Sequence, residues 1–249
     1  MIDFNTEPYN DDYDENSKFY RILFRPSFAL QARELTQLQS ILQKQIQRHG
    51  DNIFKQGAMV LPGQISIDTN AQYVKLQPLY NGVAVETFLS ELKDKIVLGA
   101  NSNLKAEIIK VQSSEQNEPS TIYVRYKNSG NNNTTKVFAA GEVITTEDNL
   151  YSFQVVSENA TGMGSIVSIE RGVYYVNGFF VLVDAHSIIL DKYSNTPSYR
   201  VGLNVEEKIV TPEEDATLLD NAQNSFNYAA PGSHRYYIDL TLKKISLES

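Results

Sequence analysis

The chain has 249 residues, enough to bury the core of one large β-domain or two small ones. It has no cysteine, which excludes disulfides, thiol catalysis and cysteine-ligated metals. Its formal net charge of −8 is unevenly placed: residues 1–17 hold six acids (Asp3, Glu7, Asp11, Asp12, Asp14, Glu15) and no base, leaving 22 basic and 24 acidic residues elsewhere. That near-neutral remainder argues against nucleic-acid binding, which needs clustered Lys and Arg against phosphates.

From the N-terminus, MIDFNTEPYNDDYDENS lacks the basic and apolar regions of a signal peptide, so export by that route is not expected. No apolar run approaches the ~18 residues of a membrane-spanning helix, and no membrane insertion is expected. Residues 1–28 read as an extended arm: acidic at first, then KFYRILFRPSF with Pro26. An arm of this composition either stays disordered or docks on a neighbour, with Phe4, Tyr9 and Tyr13 as aromatic anchors.

The segment 29–57 carries the one long helical pattern. Leu35, Leu38, Leu42, Ile46, His49 and Ile53 follow one another in steps of three and four that add to an 11-residue repeat, close to the natural helical period, so the helix should run nearly straight. At ~1.5 Å per residue it spans roughly 36 Å. Gly50 or Gly57 suits its end, which places the stop at His49 or near Lys55. Gln31, Gln37, Gln39, Gln43, Gln45 and Gln47 decorate it and can hydrogen-bond laterally in a moderately wet seam. The seam must lie against the chain's own sheet or against other copies of itself. Its narrowness, with Arg33, Glu34, Lys44 and Arg48 beside it, favours a coiled-coil contact and an oligomer, a trimer first. Ile41, off the seam, is the argument for packing within the chain.

After residue 57 the apolar period switches to two, the mark of strands. Two antiparallel β-modules, sandwiches or barrels, are expected at 58–148 and 149–249, with a short helix at 86–93 (ETFLSELK) in the first. The clearest β signal is Gly172 to Val183, where two strand-like runs flank Asn177-Gly178, the favoured type I′ turn pair. The fold class is thus mainly β with one long N-terminal helix.

No constellation for catalysis emerges. His49, His186 and His234 are far apart and never at metal-ligand spacing, and no phosphate-cradling or dinucleotide motif is present. Asp12-Tyr-Asp14-Glu-Asn16 starts like a calcium loop, but Ser17 stands where the loop needs glycine and Leu23 where it needs glutamate. Glu206, Glu207, Glu213, Glu214 and Asp215 are acidic enough for a glycosidase pair, yet nothing sets their separation, and a solvated loop explains them. The expectation is a non-enzyme with no cofactor and no metal.

Two blocks carry a resemblance. One joins Phe4-Asn-Thr-Glu-Pro-Tyr-Asn-Asp-Asp-Tyr13, Phe19-Tyr-Arg-Ile-Leu-Phe-Arg-Pro26 and Gln31-Ala-Arg-Glu-Leu-Thr-Gln-Leu38. The other joins Val210-Thr-Pro-Glu-Glu-Asp215, Leu219-Asp-Asn-Ala222, Asn227-Tyr-Ala-Ala-Pro-Gly232 and Arg235-Tyr. Together they resemble a family of tailed-bacteriophage virion proteins associated with the contractile tail, baseplate or fibre attachment. The resemblance implies a structural role in the virion, synthesis in the host bacterial cytoplasm, and other tail or baseplate proteins as partners. The alternative is a tail-associated protein that binds or hydrolyses glycans, with fifteen tyrosines available to stack on sugar rings.

Overall fold

The computed structural model describes residues 2–115 and 118–247. Among them is one α-helix, α1 (Ala32–Ile53), followed by strands β1 (Met59–Leu61), β2 (Ile65–Lys75), β3 (Leu79–Tyr80), β4 (Val83–Ala84), β5 (Ile96–Gly99), β6 (Lys105–Gln112), β7 (Thr121–Tyr126) and β8 (Val143–Thr146). Then come β9 (Ser152–Gln154), β10 (Thr161–Ile169), β11 (Gly172–Val176), β12 (Phe179–Val183), β13 (His186–Asp191), β14 (Tyr199–Val210) and β15 (Arg235–Ser246). The mainly β class with one long helix is as expected. The chain divides into two compact units: the first is Met1–Gln64, Ile169–Ala185 and Gly202–Lys243, the second Ile65–Ser168, His186–Val201 and Lys244–Ser249.

This division corrects the expected boundary at residue 148. Strands β8 and β9 pair antiparallel on either side of it, Val143 opposite Gln154 and Thr145 opposite Ser152. Asn149 takes a positive φ of 57° in the connecting turn, where Asp148 Oδ1 accepts from the Leu150 N–H at 3.1 Å. Asp-Asn between two strand-like runs is thus a hairpin turn inside one sheet. The units are also discontinuous in sequence, which no local composition shift announces.

The second unit is built on an eight-stranded sheet in the order β13-β10-β2-β7-β6-β5-β8-β9. It curls until the chain just past β9 reaches the end of β2: Leu76 and Val155 form a single bridge, with Gln77 N–H donating to Gln154 O (2.8 Å) and Val156 N–H to Lys75 O (3.1 Å). One bridge does not make a ladder, so no closed barrel forms. The inner face holds the main core, including Val74, Leu76, Val97, Ala106, Ile108, Ile122, Val124, Ile144, Phe153 and Val155. Strand β7 is buried on both faces, because Tyr123 on the opposite side packs with Ala71 and Ile166. A bulge between Ile108 and Lys110 lets Ile109 join that second cluster.

The expected short helix at 86–93 is instead two 3₁₀ turns, Val85–Thr87 and Leu89–Leu92, broken at Phe88 (φ −126°, ψ 5°). Val85, Phe88, Leu89 and Leu92 all enter the main core. Residues at i, i+3, i+4 and i+7 would share one face of an α-helix as well, which is why the sequence reads as one; the break lies in the Phe88 backbone, not in the burial pattern.

The buried Glu142 carboxylate ties two loops of this unit together. Its Oε1 accepts from the N–H groups of Asn101 (2.9 Å) and Ser102 (2.7 Å) and from the Ser102 hydroxyl (2.8 Å), and its Oε2 from the Ala139 N–H (2.8 Å). Every contact is a donor, so only an acceptor fits. Glu142→Gln turns an amide NH₂ toward these donors and is expected to cost about 1–3 kcal/mol. A urea midpoint that falls with an unchanged slope would show it.

Candidate functional site: the open face of the long helix

Helix α1 lies in the first unit. The Glu34 carboxylate accepts from the Gln31 N–H (2.9 Å) and satisfies one of the donors left free at the helix start. The end falls at Ile53, between the two expected stops. Gly50 stays inside the helix, and Phe54 turns extended with its N–H on Gly50 O (2.7 Å). Phe54 then packs on the rings of Tyr175 (5.9 Å) and Phe180 (5.7 Å), which draws the chain off the helix axis onto the β11–β12 hairpin.

That hairpin is the sequence-predicted one. Val176 pairs with Phe179, and Asn177 (φ 51°) and Gly178 (φ 86°) form the turn between them. It supplies most of what holds α1. The Tyr175 ring lies against Gly50, where an added Cβ would sit 2.7 Å from Cζ. The Tyr175 hydroxyl reaches the Asp51 carboxylate (2.7 Å) and Gln47 O (3.0 Å); burial and the Asp51 charge push this phenol up to about 12. Gln43 donates to Gly178 O (2.8 Å), and Gln56 exchanges hydrogen bonds with Asn177. These glutamines serve the hairpin rather than an interhelical seam. Ile41, the off-seam residue, is the apolar side chain α1 buries, at 3% exposure.

The acidic arm folds back along the same helix. Phe4 stands edge-on to Tyr9 (6.0 Å) and Tyr236 (5.1 Å), and the Tyr9 hydroxyl bonds His234 Nδ1 (2.7 Å). Asp11 bonds Ser40; Asp12 pairs with Arg33 (3.0 Å) and accepts from Gln37 (2.6 Å); Glu15 pairs with Arg48 and with Lys44 (3.4 Å). Glu207, one of the carboxylates considered for glycoside chemistry, accepts instead from Asn177 (2.8 Å) and the Ile2 N–H (3.0 Å). The anchors Phe4 and Tyr9 therefore dock on this chain itself, a correction to the expected docking on a neighbour; Tyr13 is half-buried in the same strap. Arg33, Lys44 and Arg48 do not line the seam, and the arm supplies their counter-charges on the opposite side.

The seam residues themselves are left open. Leu35, Leu42, Ile46 and Ile53 are 48, 57, 46 and 59% exposed; Leu38 is half-buried and His49 exposed. They lie on the face of α1 opposite Gln43, Gln47, Ser40 and Lys44. The seam does not pack on the chain's own sheet.

The charged groups around one depression are internally satisfied. A shallow depression in the second unit is lined by Lys110, Lys192, Lys244 and Glu115. Lys110 donates to Ser187 O (2.7 Å), Lys192 pairs with Glu115 (2.7 Å) and Lys244 donates to Leu190 O (2.5 Å). Burial, with Lys93 nearby, lowers the Lys110 pKa. Among the described residues, no group of three His, Asp or Glu side chains is placed to hold a metal ion, and no helix is long and apolar enough to cross a membrane.

Residues 7–90 match a family model described as a domain of unknown function (DUF4815). The match covers about a third of the chain and takes in most of the strap, all of α1 and the first strands of the second unit. No curated protein and no solved structure matches the chain.

Two outcomes check this geometry. Gly50→Ala gains up to about 1 kcal/mol of helix propensity. It also drives a methyl group into a Tyr175 ring held at its hydroxyl end, an overpacking of about 1–3 kcal/mol. Net destabilisation is expected, read as a lower melting temperature. The second concerns Glu15, whose pKa Arg48 holds below the ordinary 4.5. A depressed carboxylate pKa contributes stability present above 4.5 and lost as pH falls through the lowered value. Arg48→Gln is expected to return Glu15 toward 4.5 in a carboxyl NMR titration, and to weaken the strap at neutral pH.

Proposed function

We propose that this chain is a structural subunit of a bacteriophage tail, in the baseplate or at a fibre attachment, and that copies of it meet through the α1 seam as a homotrimer. The observation that carries the assembly part is the two-sidedness of α1. Its charged and hydrogen-bonding face is consumed by strap and hairpin, while Leu35, Leu42, Ile46 and Ile53 are left in solvent. Contiguous exposed apolar surface of this kind marks an association site.

The seam also suits a partner identical to itself. Arg33, Lys44, Arg48 and Asp51 lie away from it, and the side chains beside it include Gln39 and Gln45, which donate and accept alike. A neutral, self-complementary stripe can face its own copy without like-charge repulsion. Its 11-residue repeat favours nearly straight helices side by side. The virion assignment is supported by the resemblance of the two sequence blocks, and the partners outside the oligomer would then be other tail or baseplate proteins.

Leu42→Asp combined with Ile46→Asp tests the assembly. Both side chains are solvent-exposed, so the monomer fold is expected to survive, with unchanged far-ultraviolet circular dichroism. Sedimentation of the wild-type chain is expected to show three copies at micromolar concentration, and the double variant one copy. A monomeric wild-type chain would overturn self-association. Immunoblotting of purified particles tests the virion assignment: absence from particles that carry the gene, or turnover of host glycans by the pure protein, would overturn it.

A further inference from the structure

The segment between strap and helix is the least explained part of the first unit. Phe19, Tyr20, Leu23, Phe24, Phe28 and Leu30 are 71, 59, 75, 53, 64 and 53% exposed. From Phe19 to Phe24 the backbone makes no hydrogen bond to the rest of the described chain. Ordered chain without secondary structure, backbone partners or buried side chains lacks the contacts that normally hold such a conformation.

Its course follows from its two ends. The strap climbs along α1 from Asp12 beside Arg33 to Glu15 beside Arg48 and Lys44. Tyr20 is still beside Arg48, whose pKa is raised by Glu15 first and also by the Tyr20 hydroxyl. The chain must then return to Gln31 at the helix start, about 25 Å back along the axis. The residues from Tyr20 to Gln31 span at most ~36 Å fully extended, and coiled into a helix they would fall short at ~17 Å. Residues 19–24 run back along α1 without secondary structure, and a turn at Arg25–Phe28 (Phe28 N–H to Arg25 O, 3.4 Å; Ser27 φ 67°) precedes the helix.

We propose that residues 19–30 are a second docking element, which packs on the α1 seam of a neighbouring copy; this rests on the self-association argued above. Area favours a second copy as the occupant. At ~150–250 Å² per aromatic side chain, the exposed parts of Phe19, Tyr20, Phe24 and Phe28 amount to roughly 500 Å². A stable interface buries about 800 Å² on each partner. The narrow seam and this segment together reach that size, and the seam alone supplies much less. Charge agrees: the segment carries Arg21 and Arg25 and no acid, while the one charged residue bordering the seam is Glu34. Arg25 already lies over the Phe28 ring at 4.0 Å, which keeps its stem flat against the apolar surface.

The test is amide hydrogen exchange at residues 19–24, on the wild-type chain at oligomer-forming concentration and on the Leu42→Asp, Ile46→Asp monomer. At least tenfold slower exchange in the oligomer is expected. Phe24→Asp with Phe28→Asp, both exposed and so compatible with the monomer fold, is expected to weaken association at least tenfold in sedimentation equilibrium. An oligomer whose 19–24 amides exchange as fast as the monomer's, with association unchanged by that pair, would overturn this element and leave the seam intact. Protection that arises only in assembled particles would assign the segment to a different protein and likewise overturn it. A monomeric wild-type chain would overturn both this element and the seam.

Discussion

The orientation of α1 depends on one close contact, the Tyr175 ring against Gly50. Glycine inside a helix costs about 1 kcal/mol relative to alanine, and here it opens the space that an aromatic ring occupies. The ring is held at its far end by Asp51 and Gln47, one residue and three residues from the glycine on the same helix. A ring wedged at Gly50 and bonded on both sides allows α1 no freedom to roll. Gln43 on the hairpin turn, one helical turn before Gln47, fixes the same rotation at a second point. Once that face is inward, 3.6-residue periodicity puts Leu35, Leu42, Ile46 and Ile53 outward.

The strap completes the sorting. Exposed ion pairs are worth little each, so Asp12–Arg33 and Glu15–Arg48 are weak contributors to global stability. Helical periodicity already puts Arg33, Lys44 and Arg48 away from the seam, and the strap neutralises them there; a stripe of like charges is what most opposes contact between identical surfaces. Under the proposed self-association the acidic N-terminus would act indirectly, through the helix it dresses.

What was legible in the sequence was what local chemistry determines. The 11-residue repeat located α1, and Asn177-Gly178 located a hairpin turn with positive φ at both positions. The seam residues were legible as a stripe, though periodicity cannot say whether a stripe faces inward. Ile41 was the clue: with one buried apolar residue and a glycine, α1 needs no leucine seam to hold its place. The strap misled because acidic, proline-containing chain has the composition of disorder, and its counter-charges sit about twenty to thirty residues away on the helix. The boundary at 148 misled because units that exchange segments several times leave no shift in composition. Glu142 was not legible, since a carboxylate that staples two loops has no local signature at all.

The division of labour along α1 has a physical consequence. Isolated helices of this length are marginal in water, and most helical stability in proteins comes from packing one face. In α1 the hairpin covers Gly50, Gln43 and Gln47, while Ile41 is buried on the other side of the helix; none of these belongs to the 11-residue repeat. The repeat residues contribute little to holding the monomer together, yet they place leucine and isoleucine side chains in solvent. A sequence under no demand except folding would gain solubility by making them polar at little cost in stability. Their regular spacing, on a face without Lys or Arg, is the pattern the proposed association would use. The residues that hold α1 in the fold and those it leaves in solvent are thus different residues of one helix, so either set can be changed without the other.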